Sequence, residues 1–214
     1  TKGFYIQQSV KQYGSEGDDI IIGAKYDDKG AVYVYGETDG TEFDGVSSAN
    51  SSKGGKEGFV YKITIDSNTL ASTWDSPRFI GTTDNDKVKA LAAGRGDVAV
   101  LTETINSDTD LFASKVSSIT GLDVSGVESA VVSSLNDEIG SDIEFDHSDS
   151  GYFILVDSES ILPEGGPTPT LSRDISMLSY DAEGEFKESS SRTIATNEAD
   201  FSVDLERLAE RDRF

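Results

Sequence analysis

Three segments of the chain share one pattern, in which a polar turn containing glycine is followed at once by a short apolar strand. The segments are DDKGAVYVYGET, AGRGDVAVLTET and SDSGYFILVDSE, and their turn glycines are Gly30, Gly96 and Gly151. Internal similarity of this kind constrains a fold strongly, because a repeated unit buries its apolar surface mainly against its neighbours. The chain is therefore expected to fold as a row of similar units.

An aspartate precedes each of these glycines and begins another short strand. These opening aspartates are Asp19, Asp86 and Asp142, and they stand 11, 10 and 9 residues before the glycines. This spacing is nearly constant, whereas the connection that follows the glycine strand varies widely in length. Length variation confined to one connection is typical of a loop that faces solvent.

Each unit also contains a third and a fourth strand. The third strand begins at an acid, which is Glu57, Asp110 or Asp174, and the fourth lies in STWDSPRFIG, ESAVVSSLN or SSSRTIATN. Alternation with a period of two supports strands, since the valines of AVYVYGE share one face and its tyrosines the other. We predict an all-β chain of four-stranded antiparallel units, with boundaries at about 13–81, 82–136 and 137–197.

The first unit, YGSEGDDIIIGAKYDDKGAVYVYGET followed by EGFVYKI, resembles the bacterial β-propeller repeat known as SBBP. The matching residues are Gly14, Asp18, Asp19, Gly30, Val32, Tyr33, Val34, Gly36, Thr38, Phe59, Val60 and Lys62. The second unit departs from the repeat at Thr102, and the third at Asp157, where the first has Gly36. The resemblance covers roughly residues 13–200 and implies a β-propeller of four-stranded antiparallel blades.

The ends of the chain are expected to lie inside blades. GFYIQQSVK stands where a fourth strand is expected, and DFSVDL where a first strand is expected, so residues 1–200 are predicted to be a propeller segment. Residues 201–214 are predicted to begin a further blade or to form a short linker helix, because Leu205, Leu208 and Ala209 follow a helical spacing. Three blades leave unpaired edges, so we expect further blades of a larger ring, or partner subunits, to cover them.

Composition excludes several classes of function. The chain has 40 acidic against 18 basic residues and a net charge of -22, so its surface repels nucleic acid and anionic lipid. Its apolar runs are too short to cross a bilayer. It has no cysteine and one histidine, His147, which is a poor set for a zinc site, and no Gly-x-Ser-x-Gly elbow. We therefore expect no enzyme.

Carboxylates crowd the loops that the resemblance places on one face of the ring. The candidate metal ligands are Asp18, Asp19, Asp84, Asp86 and Asp142. Calcium prefers several closely spaced oxygen ligands, although no EF-hand loop is present. The alternative is that an opening aspartate accepts backbone hydrogen bonds in a turn and keeps adjacent blades in register. Both interpretations stay open, and calcium is the one cofactor considered.

The sequence predicts a non-catalytic binding or scaffold module of an exported or cell-surface bacterial protein, within an extracellular assembly or adhesin. Protein partners or neighbouring subunits are expected to meet its blade edges or its acidic loop face. The alternative is a calcium-dependent propeller that binds or hydrolyses carbohydrate. The lack of cysteine, the acidic surface and the loops rich in Ser, Thr, Gly and Asp all fit an extracellular or cell-surface location.

Overall fold

The computed structural model describes twelve stretches of the chain: residues 12–43, 51–66, 69, 71–94, 97–105, 109–117, 129–132, 138–146, 151–158, 174–181, 186–187 and 192–194. All regular structure in these residues is β-strand, which confirms the predicted all-β class. The predicted N-terminal strand, the C-terminal helix, Gly96 and His147 lie outside the described residues.

The strands in chain order are β1 Asp19–Tyr26, β2 Ala31–Thr38, β3 Glu57–Ile65, β4 Ser72–Trp74, β5 Arg78–Ile80, β6 Asn85–Gly94, β7 Asp97–Ile105, β8 Thr109–Ser117, β9 Ser129–Val132, β10 Glu138–Phe145, β11 Tyr152–Ser158, β12 Asp174–Tyr180 and β13 Arg192–Ile194. They form three antiparallel sheets in which consecutive strands are neighbours. The first sheet contains β1 to β5, with β4 and β5 both paired to β3, the second contains β6 to β9, and the third β10 to β13.

The first hairpin of every sheet contains a β-bulge at the same place in its register. The extra residue is Ile22 in the first sheet, Lys89 in the second and Ser141 in the third. A bulge adds one residue to one strand and therefore changes which face the following side chains occupy. The three bulges give a common origin from which residues of different sheets can be compared.

Counting from the bulge corrects one of the three opening acids. Asp19 lies opposite Thr38, and Asp86 lies opposite Thr104, as the sequence alignment requires. In the third sheet the corresponding residue is Glu138, which lies opposite Ser158. The alignment of Asp142 with Asp19 and Asp86 was wrong, because Asp142 follows the bulge in the interior of β10.

The turn glycines are also not all equivalent. Pairs at the same register are Tyr26 with Val32, Ala93 with Val98 and Phe145 with Tyr152, so the connections span 27–31, 94–97 and 146–151. Gly30 has a φ of 86°, which the turn requires. The Gly151 carbonyl accepts from the Asp146 amide at 2.9 Å, as the Ala31 carbonyl accepts from the Asp27 amide at 3.0 Å. Gly151 therefore corresponds to Ala31, and the alignment with Gly30 was wrong by one residue.

The predicted alignment of the third-strand acids agrees with the register. Glu57 lies opposite Thr38, Asp110 opposite Thr104 and Asp174 opposite Ser158. Each sheet thus carries an acid, a hydroxyl residue and a second acid side by side on its first three strands.

The three sheets pack face to face, with the second sheet between the other two. Val98 and Val100 of β7 pack with residues of the first sheet, whereas Ala99 and Leu101 pack with residues of the third. This division follows from the period of two in a strand, which places alternate side chains on opposite faces. The outer face of the first sheet carries an aromatic cluster of Phe43, Phe59, Tyr61 and Phe79.

The first strands of the three sheets converge. Lys25 on β1 of the first sheet forms an ion pair with Glu144 on β10 of the third, with Nζ and Oε1 3.1 Å apart. Face-packed sheets lie about 10 Å apart, so two sheets with a third one stacked evenly between them would be about 20 Å apart. A direct contact across the second sheet therefore requires the sheets to be closer together at their first strands. The small Ala92 occupies the same register position on β6.

Candidate functional site

The loop that precedes β1 and the start of the loop that follows β2 are held together by one carboxylate. Glu16 Oε1 accepts from the Thr41 amide at 2.6 Å and from the Thr41 hydroxyl at 2.7 Å, and Glu16 Oε2 accepts from the Glu42 amide at 3.1 Å. The hydrogen bond from the Thr41 amide is the main reason that the pKa of Glu16 is lowered to about 2. Glu16 is therefore a charged clamp between two loops.

The end of the same β2–β3 loop contacts the loop that precedes β6. The Lys56 carbonyl accepts from the Asp86 amide at 2.6 Å, and the Lys56 amide donates to Asn85 Oδ1 at 3.0 Å. Lys56 Nζ also pairs with Glu37 Oε2 at 2.7 Å. The connections before β1, after β2 and before β6 thus lie together, and we call them the loop face (residues 14–18, 38–43, 52–57 and 81–86).

Two of the predicted ligands cap the loops that lead into their own strands. Asp19 Oδ2 accepts from the Ser15 amide at 2.7 Å, and Asp86 Oδ2 accepts from the Thr82 amide at 2.7 Å. Asp86 also accepts from the hydroxyl of Thr104, its partner across the hairpin. The hydrogen bonds are those expected of an acceptor that fixes a turn.

In both loops a glycine stands directly before the residue whose amide is capped, and the reason is steric. A Cβ at Gly14 would lie 2.8 Å from Asp19 Oδ2, and a Cβ at Gly81 would lie 2.5 Å from Asp86 Oδ2. The local sequence is therefore Gly, then Ser or Thr, then three residues and Asp. This spacing could have been read from the sequence as a capping motif.

The three remaining predicted ligands lie on different segments of the chain. Asp18 and Asp84 are exposed on the loops before β1 and β6, and Asp142 is buried in β10. No group of three or more His, Cys, Asp or Glu side chains within the described ranges is arranged to hold a metal ion. Calcium binding at these five residues stays a prediction.

Glu57 and Asp86 form a second acidic feature that sequence reasoning did not recognise as buried. Glu57 is 1% exposed and Asp86 is fully buried. Glu57 Oε1 accepts from the amides of Lys53 and Gly54, whereas Oε2 is buried without a hydrogen-bond partner. Burial raises the pKa of both carboxyls, and the charge of Asp86 contributes to the rise at Glu57.

A third group of polar side chains lies where the first strands converge. It consists of Lys25, Tyr35, Asp142 and Glu144, and we call it the first-strand cluster. Burial lowers the pKa of Lys25, but the hydrogen bond and charge of Glu144 outweigh this effect, so the pKa is raised. Burial also raises the pKa of Tyr35, with Asp142 and Glu144 adding to the effect. The cluster keeps one cation among two acids and a neutral phenol.

The first-strand cluster was missed because its members are far apart in sequence. Lys25 and Glu144 are separated by 119 residues. The available signal was a charged residue directly before the aromatic residue that ends each of the two strands, in AKY and IEF.

Comparison with known proteins gives no family for the chain. Neither a scan against protein-family models nor a search of curated proteins finds a match. Among the residues described, no helix has the length and apolar character needed to cross a membrane. The functional interpretation therefore depends on the geometry above.

Proposed function

We propose that the chain is a three-bladed segment of a β-propeller, and that it serves as a non-catalytic binding or scaffold module of an exported or cell-surface bacterial protein. The observation that carries the proposal is the contact between Lys25 and Glu144, which joins the first strands of the first and third sheets. Propellers arrange four-stranded sheets around a central channel, so blades separated by one neighbour approach each other at that channel.

The hydrogen bonds of the loop face support a structural role for its acids. Glu16, Asp19 and Asp86 all accept backbone amides with their carboxylate oxygens. A carboxylate occupied in this way keeps a loop in one conformation and has less capacity for acid–base chemistry. A fixed and acidic loop face is suited to binding a protein partner of opposite charge, because the net charge of -22 attracts cationic surfaces.

The proposal is tested by reversing the charges of the pair that joins the sheets. Lys25→Glu and Glu144→Lys should each lower the free energy of unfolding by about 1 kcal/mol, because the pair is partly exposed. The double variant should recover part of the loss, and urea denaturation measures the coupling between the two sites. The matched control is the pair of Lys62 and Asp75, which lie 3.9 Å apart within the first sheet. A coupling no larger than that of the control would contradict the proposed convergence.

A calcium-dependent carbohydrate-binding propeller is the second candidate, and one observation favours it. Glu57 Oε2 is buried without a hydrogen-bond partner, and Asp86 beside it is buried as well. Two such carboxylates are neutralised either by protons or by a cation. Thermal unfolding in millimolar calcium and in EDTA separates the two cases, since an ion that binds only the native state raises the Tm. The scaffold proposal predicts no shift, and a shift of several degrees that Glu57→Gln removes would favour calcium.

A further inference from the structure

The outer face of the first sheet differs from the corresponding faces of the other two sheets. On β1 this face presents Ile21, Ala24 and Tyr26, and all three are exposed. Ile21 is 61% exposed and Tyr26 is 69% exposed. We call these three residues the open face.

The same register positions are covered in the second sheet. Val88 corresponds to Ile21, and Leu91 corresponds to Ala24. Val88 is 3% exposed and Leu91 is fully buried, because both pack against the first sheet. The third sheet repeats the arrangement, since Ile143 corresponds to Leu91 and is fully buried against the second sheet.

The third sheet has a complementary surface at the other end of the stack. Phe153 on β11 corresponds to Tyr33, and Met177 on β12 corresponds to Val60. Tyr33 and Val60 are buried against the second sheet, whereas Phe153 and Met177 are only partly buried. The first and third sheets therefore carry, on the faces turned away from the second sheet, the two halves of the interface that is used internally.

We propose that a second copy of this chain docks its third sheet, through Phe153 and Met177, onto the open face of the first sheet. The argument is continuity with an established interface, because both internal junctions bury the register position shared by Leu91 and Ile143 and the one shared by Tyr33 and Ala99. This inference depends on the proposed propeller geometry. Two copies bring six sheets together, within the roughly four to eight blades of propellers, and a heterologous contact of this kind closes a ring when its rotation permits.

The net charge affects how the association depends on salt. Each copy carries a net charge of -22, so two copies repel each other at low ionic strength. The Debye length falls from about 30 Å at 0.01 M to about 8 Å at 0.15 M, and added salt screens the repulsion. Because the contact itself is apolar, association should become stronger as salt is added.

The experiment is sedimentation velocity on the purified chain over a range of concentrations at moderate salt. The wild type should form a dimer, and Ile21→Glu should reduce it to a monomer. Ile20→Glu is the matched control, since Ile20 is an adjacent, 47% exposed isoleucine on the opposite face of β1. Tyr26→Ser repeats the test on the open face without adding a charge. Unchanged thermal unfolding of the variants shows that the fold is intact.

A mixing experiment tests which surfaces meet. Met177→Glu should also give a monomer, but an equimolar mixture of Ile21→Glu and Met177→Glu should form a one-to-one dimer through the single intact junction. A wild type that stays monomeric at all concentrations, an Ile21→Glu variant that dimerises like Ile20→Glu, or a mixture without dimer would overturn the inference. A monomer that retains the coupling of Lys25 with Glu144 would overturn this inference alone and leave the proposed function standing.

Discussion

The first and second sheets contain the same local device in different surroundings. Asp19 and Asp86 both accept the amide of the residue four positions before them, and both lie opposite a threonine. Asp19 is nevertheless exposed, whereas Asp86 is fully buried. The difference arises because the loop before β6 is covered by the end of the β2–β3 loop, through the hydrogen bond from the Asp86 amide to the Lys56 carbonyl.

The comparison extends to the apolar residues. Val34 and Val100 occupy the same register position, but Val34 is partly buried and Val100 is fully buried against the first sheet. Two valines at the same register position thus differ in burial because a neighbouring sheet covers one of them more completely than the other. The energetic weight of each position is expected to follow that cover, and the following substitutions test this expectation.

The largest difference is expected between the two capping aspartates. Asp86→Ala leaves the Thr82 amide and the Thr104 hydroxyl without their acceptor in a buried place, and should lower the free energy of unfolding by about 3 kcal/mol. Asp19→Ala should cost less than about 1 kcal/mol, because water can replace the lost acceptor. Urea denaturation measures both values. Equal losses would show that the cover is unimportant.

A smaller difference is expected for the paired valines. Val100→Ala removes buried methyl groups and leaves a cavity, at a cost of about 2 kcal/mol. Val34→Ala should cost about half as much, since part of its surface already contacts water. The comparison uses identical chemistry at one register position, so chemical denaturation of the two variants isolates the effect of the neighbouring sheet. A larger loss at Val34 would reverse the expected order.

Glu57, the buried acid at the start of β3, should slightly destabilise the folded state when it is ionised. Glu57→Gln keeps an acceptor for the amides of Lys53 and Gly54 and removes a charge that burial disfavours. At neutral pH the variant should be more stable by up to about 1 kcal/mol. The control is Glu42→Gln, on an exposed loop residue, for which no change is expected. A marked loss of stability in Glu57→Gln would mean that the negative charge itself is required.

The contributions of Glu57 and Glu16 to stability should depend on pH in opposite directions. The pKa of Glu57 lies above its ordinary 4.5, so this carboxyl binds protons more tightly in the folded state than in the unfolded state. The stability that it contributes therefore falls as the pH rises from 4.5 through the raised pKa. The pKa of Glu16 is lowered to about 2, so its contribution is present above pH 4.5 and is lost as the pH falls towards 2. Carbon-detected NMR of the side-chain carboxyls measures both. Similar midpoints for the two groups would contradict the assigned hydrogen bonds and burial.

The sequence predicted most of the described strands and the third-strand acids, because both depend on local patterns, but the predicted fourth strand of the first unit is two short strands, β4 and β5. Alternation identifies strands. The acids Glu57, Asp110 and Asp174 occupy the same register position in their three sheets. Asp142 was misaligned because the opening acid of the third sheet is a glutamate, Glu138, and Gly151 was misaligned because its hairpin connection is longer than that of the first sheet. One extra residue in the turn before Gly151 was enough to move the alignment.

The candidate site was predicted less completely, and the reason is again physical. The capping role of Asp19 and Asp86 was one of two interpretations, and it needs only residues close in sequence. The burial of Glu57 and the contact of Lys25 with Glu144 depend on how whole sheets pack. Such contacts join residues distant in sequence, and a single sequence carries no direct signal of their distance.

The central claim is that the three sheets converge at their first strands, and cross-linking tests it most directly. The chain has no cysteine, so two introduced thiols react without background. With a short bismaleimide, Lys25→Cys/Glu144→Cys should give an efficient intramolecular cross-link that mass spectrometry detects. Lys25→Cys/Arg192→Cys, with the second thiol on β13 at the far edge of the same third sheet, should give none. Equal cross-linking of both pairs, or none in the first, would contradict the convergence.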